Sequence, residues 1–135
     1  MAGYRMTADE RGQTHLEPMD LFAWPFENGP GEFKGVGGAA MGDASRVMLM
    51  RFEVGARPGL HRAVPGFLVV LSGELVVWDS AGTEVALQVG DTLRCETTGR
   101  GGWRLGNRAE QNALVALVQM PPKKSAPAVE PDAQT

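Results

Sequence analysis

Eighteen glycines and nine prolines make up a fifth of this 135-residue chain, and they fall as punctuation between short apolar runs. Each breaker ends a regular element or turns the chain, which leaves no room for a long helix. The apolar runs at residues 47–50, 67–71, 75–78 and 114–118 are four or five residues long and mostly β-branched or otherwise strand-tolerant. That pattern predicts strands joined by turns, and helical periodicity is hard to find. An all-β domain follows.

The length is that of one domain, and 43% hydrophobic with 21% charged residues permits a buried core. Thirteen Lys and Arg against sixteen Asp and Glu give a formal charge of -3 with the signs interspersed. No basic stripe is present, which argues against nucleic acid as a partner. Cys95 is the single cysteine, so an internal disulfide and a cysteine-based zinc module are both excluded. No run approaches the length of a membrane span, and residues 1–11 lack the apolar stretch of a signal peptide. The expected location is the cytoplasm, with no membrane partner.

Along the chain, residues 1–17 are polar and aperiodic and read as a flexible N-terminal arm. Residues 18–122 read as the body of the domain. At its start Leu21, Phe22, Trp24 and Phe26 bring four large apolar groups into six positions, and this segment is expected to dock as an edge strand. The glycine-rich stretch 36–42 lacks the spacing of a phosphate-cradling loop and reads as a flexible or bulged strand. From 46 onward the order is strand, turn, strand: 46–52, 67–71, 74–78 and 84–89, with turns at 55–59, 72–73, 79–82 and 90–91. Residues 123–135 carry almost no large apolar groups and read as a disordered tail.

Three stretches then stand out together. They are Val54-Gly-Ala-Arg-Pro-Gly-Leu-His61-Arg, then Phe67-Leu-Val-Val-Leu-Ser-Gly73-Glu-Leu, and Val89-Gly-Asp91 with Trp103-Arg-Leu-Gly-Asn107. In order and spacing they resemble the two motifs of small single-domain cupins, over roughly residues 45–120. The resemblance implies a jelly-roll β-barrel of two antiparallel sheets, preceded here by the extended arm. It also implies ligand chemistry inside the mouth, often on a metal held by two His and a Glu of the first motif and a His of the second. His61 matches one histidine of the His-x-His pair; its missing partner is Ala63 in one register and Gly59 in the other. Gly66 falls where the glutamate belongs, and Trp103 stands at the second-motif histidine. One remaining ligand cannot hold a transition metal, so no metal and no cofactor are expected. An altered ligand set drawing on His15, Glu53 or Cys95 is the alternative.

His61 is the candidate acid or base, since an imidazole titrates near neutral pH and burial favours its neutral form. Trp103 offers a flat surface and one N–H donor to a substrate. Met48, Met50 and Phe52 share the apolar face of their strand and supply an adaptable lining, while Glu53, on the other face, is a candidate carboxylate. Arg57, Arg62, Arg94 and Arg104 flank the motifs, and an inward arginine would hold a substrate oxyanion. Arg57 and Arg94 are the candidates taken up. Alternation allows only one of Trp103 and Arg104 inside, and only one of Arg94 and Cys95. Cys95 is a candidate pocket residue and, with a lowered thiol pKa, a nucleophile.

The function expected is that of a metal-independent cyclase or isomerase acting by His61-mediated proton transfer. Its substrate is a small apolar or polyketide-like molecule of specialised metabolism, a role that cupins resembling this chain fill. The alternatives are a non-catalytic cupin that binds or senses a small ligand, and a metal-dependent oxygenase or isomerase. A homodimer is expected, formed through sheet augmentation or the Trp24 segment.

Overall fold

Strands form where apolar and polar side chains alternate between glycine turns. The computed structural model describes residues 1–28, 35–57, 59–96 and 100–121, and all that follows concerns these residues. The strands are β1 (Gly3–Ala8), β2 (Thr14–Pro18), β3 (Glu27–Asn28), β4 (Gly37–Gly38), β5 (Arg46–Phe52) and β6 (Gly66–Ser72). They continue with β7 (Leu75–Asp79), β8 (Glu84–Leu87), β9 (Thr92–Cys95), β10 (Trp103–Gly106) and β11 (Ala113–Gln119). The only helical element among them is a 3-10 turn at Leu21–Ala23, where the Asp20 carboxylate accepts from the Phe22 N–H at 2.9 Å.

Two sheets face each other across one core. The larger runs β2-β1-β9-β6-β11-β5, the smaller β10-β7-β8, and β3 and β4 form a separate pair. The chain is all-β and built of two packed sheets, as expected of a jelly roll. Every pairing is antiparallel except β1 with β9, which is parallel. Leu68, Val70, Leu93 and Val115 from the larger sheet meet Leu75, Val77, Leu87 and Leu105 from the smaller. Burying each such side chain contributes about 1.5–3 kcal/mol relative to leaving it in water.

The motif turns hold this arrangement. Gly73 has φ +80°, and a Cβ there would lie 2.7 Å from the Asn112 carbonyl, so only glycine lets β6 turn so close to β11. The Asp91 carboxylate is buried and accepts from the backbone N–H of Ala2 at 2.6 Å and of Gln88 at 2.8 Å.

Residues 1–17 are not a loose arm. Gly3–Ala8 and Thr14–Pro18 form a hairpin inside the larger sheet, and Met6 is fully buried in the core. Met6, with Tyr4 and Leu16 half-buried against the same core, and the hydrogen bonds to β9 order a segment whose composition is otherwise polar. The segment after Pro18 is likewise no edge strand. Its Trp24 indole is half-buried against the Arg94 guanidinium, 4.9 Å from the ring centroid. Of the glycine-rich stretch only Gly37–Gly38 is a strand, paired with Glu27–Asn28. The expected tail at 123–135 lies outside the described residues.

Candidate functional site

A cavity of about 170 Å3 opens between the two sheets. Met50 and Phe52 of β5, Leu68 of β6, and Val115 and Leu117 of β11 form one wall, and Trp103 and Leu105 of β10 form the other. The irregular segment carrying His61, Arg62 and Val64 completes it. The lining is apolar apart from His61, Arg62 and the indole N–H of Trp103.

The segment at His61 is held to β10 by one bridge. His61 N–H donates to the Trp103 carbonyl at 2.9 Å, and Trp103 N–H donates back to the His61 carbonyl at 2.8 Å. The bridge depends on Gly102, at φ +69°, where any Cβ would fall within 3.0 Å of the His61 carbonyl. The hairpin braces the same point. The hydroxyl of Thr14, a fully buried residue, donates to the Gly102 carbonyl at 2.6 Å, and the Ser80 N–H donates to that hydroxyl at 2.9 Å. Asn107 holds the far end of β10. Its amide donates to the carbonyls of Phe52 at 2.9 Å and Gln111 at 2.7 Å, and its carbonyl accepts from the Ala109 N–H at 2.9 Å.

The structure thus brings His61, Trp103 and Met50 to one cavity, while Met48 packs against the adjoining core. Trp103 is 4% exposed and Arg104 faces out, as alternation requires. His61 itself is exposed. The other candidates stand elsewhere. Cys95 points into the core and Arg94 outward, where its Nε lies 3.2 Å from Glu96. Glu53 is exposed beside Arg51 at 3.4 Å, and Arg57 is exposed and does not line the cavity. Arg62 is the arginine that does. Sequence alternation could not select it, because residues 61–64 are not a regular strand.

A larger, more open cleft of about 580 Å3 runs past Arg94, Cys95, Glu96 and Met120. Its arginine is already paired with Glu96 and stacked on Trp24, so the smaller cavity has the better claim to a ligand.

Three titratable groups held away from their ordinary values, Asp9, Glu84 and Arg5, lie outside the cavity. A hydrogen bond to His15, at 2.8 Å on the hairpin, holds the Asp9 carboxyl low, and His15 is thereby engaged away from His61. Arg108 first, then the Trp78 indole N–H, hold the Glu84 carboxyl low. Glu17 in turn raises the Arg5 guanidinium.

Among solved structures the chain is similar to a cupin. That structure, from Silicibacter pomeroyi DSS-3, is described as a sugar phosphate isomerase from a cupin superfamily. The match is 29% identical with a TM-score of 0.48, and it covers 56% of this chain and 49% of that one. The matched part therefore spans about half the length of that protein. No family model and no curated protein matches.

Cupins often hold a metal, and the residues here do not fit one. Ala63, 1% exposed, packs in the core, and Trp103 fills the second-motif position. At Gly66, φ +145°, a Cβ would collide with the Val118 carbonyl, so no glutamate side chain fits that backbone. Among the described residues no three His, Cys, Asp or Glu converge as ligands. Nor, among the described residues, is any helix long and apolar enough to cross a membrane.

Proposed function

We propose that this chain is a small-molecule isomerase or cyclase whose cavity shapes an apolar substrate while His61 moves a proton. The observation that carries the reading is the pairing of His61 with Trp103 at an otherwise apolar cavity. An unprotonated imidazole nitrogen takes a proton from a carbon next to a carbonyl, and the electron pair moves to that oxygen. Return of the proton to a different carbon gives an isomer; attack of the enolate on an electrophile in the same molecule closes a ring. No oxidant or reductant is consumed.

The cavity volume favours a small substrate. About 170 Å3 compares with the roughly 150 Å3 that admits benzene, so a polyketide-like substrate would enter by one ring and leave the rest outside. The lining also argues against a phosphorylated sugar, the substrate class named for the similar structure. Each hydroxyl of a sugar needs a partner, and Met50, Phe52, Leu68, Val115 and Leu117 offer none.

The test is deuterium incorporation from D2O into a panel of monocyclic and short-chain enolisable ketones, followed by NMR. The expected outcome is exchange by the wild type and none by His61→Gln, with ligand affinity kept in the variant. Equal exchange in both removes His61 as the base. One observation favours the binding-module alternative: among the described residues no side chain is hydrogen-bonded to the His61 ring. Affinity for the panel without any exchange would establish that second reading.

A further inference from the structure

Arg62 is exposed and lines the cavity immediately after His61. Arg5, Arg51, Arg94 and Arg108 each stand against a glutamate, and of the remaining described arginines Arg62 is the one that lines the cavity. Among the described residues no carboxylate stands against Arg62. Nor, among the described residues, does an aspartate or glutamate line the cavity, where it would compete with or repel an incoming anion. A guanidinium that meets no described carboxylate, beside an apolar cavity, matches a ligand that is apolar at one end and anionic at the other. One planar guanidinium matches the two oxygens of a carboxylate in particular, whereas a phosphate dianion calls for more than one cation.

We propose that Arg62 receives the carboxylate of a small organic acid whose apolar body, of roughly six to ten heavy atoms, fills the cavity. The proposal rests on this cavity being the ligand site, as in the reading above, but not on His61 acting as a base. It assigns the polar end of the substrate to the mouth and leaves the reacting carbon inside, between the His61 segment and Met50.

The experiment is calorimetric titration of the full chain with benzoate and with benzamide, its neutral counterpart of nearly the same shape. The wild type binds benzoate about tenfold more tightly than benzamide, as a charge-assisted pair near solvent provides. Arg62→Gln removes that preference and leaves benzamide binding in place, while His61→Gln keeps it. Equal affinity of the wild type for the two probes overturns the proposal, as does a preference that survives in Arg62→Gln or disappears in His61→Gln. Failure of either probe to bind also overturns it. Because Arg62 is exposed, a melting curve matching the wild type confirms that its variant is folded. Deuterium exchange that persists in His61→Gln, with the benzoate preference intact, would defeat the proton-transfer reading alone.

Discussion

Gly102→Ala places its perturbation at the joint between the cavity and the smaller sheet. At φ +69° an alanine occupies the left-handed region, at a cost of about 1–2 kcal/mol. Its methyl also falls within 3.0 Å of the His61 carbonyl, a backbone atom that no rotamer change can move aside. Restoring ordinary contact requires the two backbones to part by on the order of 1 Å. The paired bonds between His61 and Trp103, at 2.9 and 2.8 Å, then pass out of hydrogen-bonding range. Each bond contributes about 1 kcal/mol net. The expected loss is therefore about 3–4 kcal/mol, or roughly 10–15 °C in Tm for a domain of this size. Gly82→Ala is the control. It has φ +92° and nothing within 4 Å of the added methyl, so it should lose only the roughly 1–2 kcal/mol of backbone strain. Urea denaturation of both variants measures the difference, about 2 kcal/mol, which belongs to the bridge. Equal losses in the two variants would refute the reasoning.

Two other perturbations follow from the same structure. Asn107→Ala leaves the carbonyls of Phe52 and Gln111 and the Ala109 N–H without their partner; a loss of about 2–4 kcal/mol in chemical denaturation is expected. A loss under 1 kcal/mol would mean that water replaces the amide. Arg108 and Trp78 hold the Glu84 carboxyl below its ordinary 4.5, so its contribution is fully present above that pH and fades as pH falls through the lowered value. Glu84→Gln should therefore melt below the wild type at pH 7, and the gap should close on acidification; a gap independent of pH from 7 to 2 contradicts the pairing.

The strands of the body were legible because their signals were local. β5, β6 and β11 lie within two residues of their apolar runs, and the glycine turn at Gly73 falls where the spacing placed it. The hairpin at residues 3–18 was not legible. Its order comes from pairing with β9, about ninety residues away, and from Met6, with Tyr4 and Leu16 beside it, packing on the core. A largely polar segment with scattered apolar residues looks like an arm until its partner strand is known. In the cavity, strand parity correctly separated Trp103 from Arg104 and Arg94 from Cys95, because those pairs sit on regular strands. It could not decide which of Arg94 and Cys95 turned inward. It also failed for Arg62, whose segment is joined to the sheet by a single bridge and does not alternate.

The brace from Thr14 to Gly102 and the bond from Ala2 to Asp91 join residues 88 and 89 positions apart. Contacts of that separation form late, after the entropy of closing a long loop has been overcome. During synthesis the first hairpin leaves the ribosome long before β9 and Gly102 exist, and it must wait with Met6 exposed and one strand edge bare. The cavity is thus among the last features to assemble. A fusion partner or trimming at the N-terminus acts on the wall of the cavity, and on the folding step in which unpaired edges invite association.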